Sequence, residues 1–75
     1  MTLDALENGR PAKVSAVELR DAVILRLMEM GLVPGASVSV KKRAPFGGPL
    51  ELQVGDYLLS IRISEARAFS VELVP

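Results

Sequence analysis

Apolar and polar residues alternate along most of the second half of the chain. Val38 and Val40 alternate with Ser37, Ser39 and Lys41, and Leu50, Leu52 and Val54 with Glu51 and Gln53. Tyr57, Leu59, Ile61 and Ile63 alternate with Leu58, Ser60 and Arg62, and Phe69, Val71 and Leu73 with Ser70 and Glu72. A period of two puts each set on one face of a strand, which predicts four strands with one buried face each. A further strand is predicted before them, from Ala12 to Leu19. Ala12, Val14 and Ala16 alternate with Lys13 and Ser15, and then Val17 and Leu19 take the other parity. A bulge or bend near Ala16-Val17 restores the inward face.

Only Arg20 to Met30 carries a clear helical period. At about 100° per residue, Met30, Val23, Leu27, Ile24 and Met28 fall within one apolar arc of roughly 160°, with Asp21, Arg26 and Glu29 outside it. Gly31 is placed to end this helix in a left-handed conformation, with Leu32 packing back as its hydrophobic partner. Pro34-Gly35 then reads as a type II turn. A short helical turn is predicted over Thr2 to Leu6, with Thr2 as N-cap, Asp4 in the first turn and Leu3 and Leu6 on one side. Asn8-Gly9 marks a turn, Gly55-Asp56 suits a hairpin, and Ala44 to Pro49 is a loop. Ser64 to Arg67 reads as one more helical turn with Ser64 as N-cap. Five short strands with tight connections predict a mainly β fold: a small barrel with one α-helix between the first and second strands, plugging one end.

Composition narrows the function. With 75 residues the chain is expected to be one domain over residues 1–75. It has no Cys, so neither a disulfide nor a thiolate zinc site is available. It is 49% hydrophobic without Trp, so the core is expected to consist of Val, Leu, Ile, Met and Ala. Nine basic residues balance nine acidic ones, which leaves no basic excess to hold nucleic acid and permits self-association. No apolar run approaches the roughly 20 residues of a membrane span, and MTLDALENGR has neither part of a signal peptide. The chain is therefore expected in the cytoplasm, reaching the inner face of a membrane only through a partner.

Candidate chemistry is sparse. There is no His to serve as a base. The serines fall mostly at outward strand positions, and the carboxylates are scattered. Gly47-Gly48 lacks the lysine and helix start of a phosphate loop. No catalytic, cofactor or metal residue is expected. Lys41-Lys42-Arg43 is the one basic run. It either attracts phosphate, an anionic lipid surface or an acidic partner, or is the solvated end of a strand whose charge discourages edge pairing. Alternation sends Lys41 and Arg43 one way and Lys42 the other, so they form no single patch unless the strand ends there. The sharper candidates are apolar. Leu25 falls between Asp21 and Glu29 on the helical wheel, outside the core arc. Phe46 sits at the tip of a glycine-rich loop. Phe46 either folds back over the barrel mouth or, with Leu25, marks a partner site; a singly exposed Leu is otherwise ordinary.

Four segments carry a family likeness. Arg26-Leu27-Met28-Glu29-Met30-Gly31-Leu32-Val33-Pro34-Gly35 resembles an "RL-x-x-LGL-x-PG" pattern, with Met30 for the commoner Leu. Ala44-Pro45-Phe46-Gly47-Gly48-Pro49-Leu50 resembles a "PFGDP" loop, and Val54 to Arg62 a "V-x-G…LR" strand. The opening Leu3, Leu6, Gly9, Ala12 and Val14 also fit. In register over essentially the whole chain, these segments resemble the ferrous-iron transport protein A (FeoA) family. The resemblance implies an SH3-like barrel. It also implies a cytoplasmic accessory working beside a membrane ferrous-iron transporter with a GTP-binding domain. The residue patterns, and not the likeness, nominate the partner-binding residues: Leu25 and Met28 on the helix and Pro45, Phe46, Gly47, Gly48 and Pro49 on the loop. The alternative is a metal-responsive regulatory module that docks on a transcriptional regulator, because such domains also occur in metal-responsive repressors. A proline-peptide binder fits less well, since those grooves are lined with aromatics and this chain has only three. Gly48 stands where the family often has an acidic residue, which removes one charge from the loop.

Overall fold

The computed structural model describes residues 1–18 and 20–75. Its strands are β1 (Ala12–Val17), β2 (Ser37–Arg43), β3 (Leu50–Val54), β4 (Tyr57–Ile61) and β5 (Phe69–Leu73). Helix α1 (Ala22–Glu29) lies between β1 and β2, and a short α2 (Ile63–Ala66) lies between β4 and β5. A 3-10 turn, Leu3–Ala5, precedes β1. The strands form one antiparallel sheet in the order β4-β3-β2-β1-β5. The mainly β class, the five strands and the position of the helix are as the alternation predicts.

The sheet curls but does not close. β1 meets β2 only at Ala12↔Val38 and Lys13↔Ser37, while β2 and β3 pair along most of their length. The N-terminal segment fills in. The Gly9 N–H donates to the Val40 carbonyl at 2.8 Å, and the Val71 N–H donates to the Met1 carbonyl at 2.8 Å. The first residues thus cover the outer edge of β5, with a bridge between Thr2 and Ser70. The expected full closure is therefore corrected: β4 remains an edge strand.

The core is aliphatic, apart from Phe69. Leu50, Leu52 and Ile61 fill it from the sheet, and Leu3, Leu6, Ile24, Leu27 and Leu32 from the other segments. No polar or charged side chain is buried among the described residues. Hydrophobic burial and the backbone ladders therefore supply the cohesion.

Helix α1 begins where Asp21 caps it: the Asp21 carboxylate accepts from the Ile24 N–H at 2.9 Å. The cap moves the start two residues past the predicted one. The exit is a Schellman motif. The Gly31 N–H donates to the Met28 carbonyl at 3.0 Å and the Leu32 N–H to the Leu27 carbonyl at 3.1 Å. Gly31 has φ 105° and Leu32 is fully buried, as the sequence predicts. The Ala36 N–H donates to the Val33 carbonyl at 2.9 Å with Gly35 at φ 92°, which fits the predicted type II turn.

Several details differ from expectation. β1 ends at Val17, and Leu19 lies outside the described residues. The register of β1 against β5 shifts between Val14 and Ala16, so the bulge falls at Ser15, earlier than the parity change suggests. A second shift, between Val40 and Lys42, leaves Lys41, Lys42 and Arg43 all exposed, against the simple alternation. Ile63 belongs to α2 and not to the fourth strand. Arg62 replaces Ser64 as the N-cap, and its N–H donates to the Glu65 side chain at 2.8 Å. The Thr2 hydroxyl bonds the Asp4 carboxylate and caps no backbone group. Tyr57 and Leu73 sit at strand ends and are partly exposed. Val23 and Met30 leave the core because only Ile24, Leu27 and Met28 face the sheet, and Met30 is already the C-cap.

The helix exit provides a stability test. A Cβ on Gly31 would lie 2.6 Å from the Tyr57 hydroxyl oxygen, whereas one on Gly35 meets nothing within 4 Å. Gly31→Ala is expected to lose about 1–2 kcal/mol in urea unfolding and to shift the Tyr57 ring resonances. Gly35→Ala, which is also left-handed, is expected to lose stability without moving Tyr57.

Candidate docking surface

The β2–β3 connection builds the most distinctive surface feature. The Ala44 N–H donates to the Pro49 carbonyl at 3.0 Å and closes the base of the loop. The Gly48 N–H donates to the Pro45 carbonyl at 3.3 Å. Between them, Phe46 has φ 58° and Gly47 has φ 74°. Two successive positive φ values mark a type I′ turn, which favours Asn, Asp and Gly. Phe46 is the only described non-glycine residue with positive φ. A left-handed conformation costs such a residue about 1–2 kcal/mol.

The ring recovers none of that cost within the chain. Its exposure is 105% of the reference value, so it does not fold over the barrel mouth. The rest of the loop holds the ring outward. Pro45 and Pro49 fix their own φ angles on either side. Gly48 fits where no side chain could, because a Cβ there would lie 2.6 Å from the Ala44 Cβ.

Helix α2 stands beside this loop. Gly47, Gly48, Pro49, Arg62, Ile63, Ser64 and Arg67 line an open groove between them. The exposed Arg67 side chain pairs with the half-buried Asp4 carboxylate at 3.6 Å, a long and partly solvated contact worth little by itself. The basic run divides by role. Arg43 donates to the Asn8 side-chain oxygen at 3.0 Å and the Asp4 carbonyl at 2.9 Å, and also to the Leu6 carbonyl. It therefore clamps the N-terminal segment to the end of β2, while Lys41 and Lys42 are exposed.

The helix candidates separate. Leu25 is 44% exposed, whereas Met28 is half-buried against the core. Val23 and Met30 add exposed apolar surface that the helical wheel assigned to the core. A second groove joins Asp21, Val23 and Ile24 to Ser64 and Glu65. Ser64 lines both grooves, so α2 lies between the loop and the start of α1. The sequence-predicted residues therefore form a loop patch and a separate helix patch. Among the described residues, no three His, Cys, Asp or Glu side chains converge as a metal site, and no helix is long and apolar enough to cross a membrane.

The model of the FeoA domain matches residues 1–73. A Porphyromonas gingivalis protein, the Fe(2+) transport protein A/Fe(2+) transporter FeoB fusion protein, is 35% identical over 74 residues. That match covers 99% of this chain and 9% of the fusion protein. The solution structure of FeoA from Chlorobium tepidum superposes with a TM-score of 0.92 at 39% identity, covering 100% of this chain and 71% of that one. FeoA from Stenotrophomonas maltophilia complexed with zinc, described as a procaryotic SH3 domain protein, superposes with a TM-score of 0.84 at 38% identity. It is matched over 96% of this chain and 89% of its own.

The strain at Phe46 has a measurable sign. Phe46→Asn puts a residue that tolerates left-handed backbone at a site with no burial to lose. Urea unfolding is expected to show a gain of about 0.5–1 kcal/mol. A ring packed on the fold would instead make the same change cost about 2 kcal/mol or more.

Proposed function

Because the chain belongs to the FeoA domain family, we propose that it acts as a cytoplasmic accessory of ferrous-iron uptake, docking on a membrane Fe(2+) transporter through the Phe46 loop. One observation carries this reading: a fully exposed aromatic ring is held outward by a left-handed turn that works against the stability of the chain. The Porphyromonas gingivalis relative supports the choice of partner, since there a similar domain is joined to the transporter FeoB in one chain. Such linkage keeps two modules at high effective concentration, which suits units that act together.

The energetics of docking follow from the loop. Fully burying a Phe side chain contributes about 1.5–3 kcal/mol. The turn fixes the backbone under the ring before any encounter, so little loop ordering remains to offset that gain. An aromatic anchor of this kind, ringed by Pro45, Gly47 and Pro49, fits an apolar pocket on the partner. The action is binding, and no group of the chain needs to react. Leu25, Val23 and Met30 on α1 provide a second contact patch for the same or a neighbouring surface.

The test is titration of the isolated GTP-binding cytoplasmic domain of the transporter with this chain. Phe46→Asn is expected to weaken binding about ten- to a hundred-fold, the equivalent of losing the buried ring. Leu25→Glu is expected to weaken it less if α1 lies at the rim of the contact. Unchanged affinity for folded Phe46→Asn would remove the loop from the interface.

A further inference from the structure

The outer edge of β4 carries an inference independent of the Phe46 loop. Val54 and Tyr57 face each other across the two-residue turn Gly55-Asp56 and continue as a regular ladder to Leu50↔Ile61. In such a hairpin the backbone groups of Tyr57, Leu59 and Ile61 point to β3, and those of Leu58 and Ser60 point away. Among the described residues, no backbone hydrogen bond from another segment reaches Leu58 or Ser60. Leu58 is 55% exposed and Ser60 is exposed, whereas their neighbours Gln53 and Glu51 on β3 are half-buried.

Natural edge strands are usually guarded by lysine, proline, a bulge or a covering segment. The other edge, β5, is covered by Met1 and Thr2. The β4 segment Tyr-Leu-Leu-Ser-Ile has none of these guards and no charge, with Asp56 at one end and Arg62 at the other.

We propose that β4 pairs antiparallel with β4 of a second copy, about a two-fold axis at Leu59. In that register Leu58 faces Ser60 of the second copy, and each of the two pairs exchanges two backbone hydrogen bonds. Every free N–H and C=O of both edges is then used. Asp56 falls opposite Arg62 of the second copy, twice per dimer. The exposed Leu58 side chains become diagonal neighbours on the outer face.

Neighbouring registers fit less well. Centring on Leu58 sets Ser60 against Asp56, a turn residue. Centring on Ser60 sets Leu58 against Arg62, whose backbone is already occupied. The Arg62 N–H donates to the Glu65 carboxylate at 2.8 Å, and its carbonyl accepts from Glu65 and Ala66, both at 3.0 Å. The zero net charge opposes no such association. The interface is a single short strand per copy, so it belongs to the weak, transient class.

The test uses the chain itself. Sedimentation and NMR at rising concentration, up to about 1 mM, are expected to show mass rising toward twice 8.0 kDa. The Leu58 and Ser60 amides should shift most and gain exchange protection. Asp56→Arg and Arg62→Asp place like charges opposite one another twice, so each alone is expected to dimerise about tenfold more weakly. An equimolar mixture of the two restores both opposite-charge pairs and is expected to recover association. A monomer throughout the range would overturn the proposal, as would shifts centred away from β4. Dimerisation insensitive to both charge changes, or a mixture that fails to recover, would overturn the Leu59 register.

Discussion

A curled sheet that does not close must find apolar material for its open sides. β1 and β2 share only two residue pairs, so the two halves of the sheet diverge there. The gap is filled from outside the strands. Leu3 and Leu6 enter from the N-terminal turn, Ile24 and Leu27 from α1, and Leu32 from the Schellman exit. With no polar side chain buried, any one of these ties is worth a sizeable share of a small domain's margin. The local devices serve this packing: the Asp21 cap, left-handed Gly31 and the Arg43 clamp each fix a segment that delivers a leucine or isoleucine to the core.

The same rigidity makes an exposed loop useful. β2 and β3 form a paired hairpin held on both sides, and Ala44 and Pro49 close its far end with a hydrogen bond. A strained turn persists only when its surroundings over-determine it, and this base provides that support. The strain at Phe46 thus rests on the core beneath it. A looser hairpin would let the ring collapse onto the barrel and hide the apolar surface. The free edge of β4 has another origin: it follows from sheet topology, and the covering segment lies at the opposite edge.

Much of this fold was legible in the chain. Alternation located four of the strands nearly to their ends, because one buried face imposes a strict period of two. The helix exit and the Pro34-Gly35 turn were legible because glycine there answers a local steric demand. Other features depend on non-local partners and left no such mark. Nothing around Arg43 announces Asn8 and the carbonyls of Asp4 and Leu6 as its acceptors. The bulges at Ser15 and in β2 depend on the neighbouring strands. Val23 and Met30 obey the helical period yet stay wet, because the barrel mouth accepts only the face of Ile24, Leu27 and Met28. At the site, Phe46 before two glycines pointed to the loop, but its left-handed backbone appears only in three dimensions. A bulky residue between proline and glycine in a tight hairpin is the signal that could have suggested it.

In the proposed function, a turn unfavourable to the free chain presents one ring to another protein. Chemical-shift mapping of the labelled chain on addition of the transporter's cytoplasmic domain tests it most directly. The expected result is a contiguous set of perturbed amides over residues 44–49 and the flanking 62–67, with the Phe46 ring resonances moving furthest. Perturbations confined to the opposite end of the barrel, with the Phe46 ring unmoved at saturation, would contradict it.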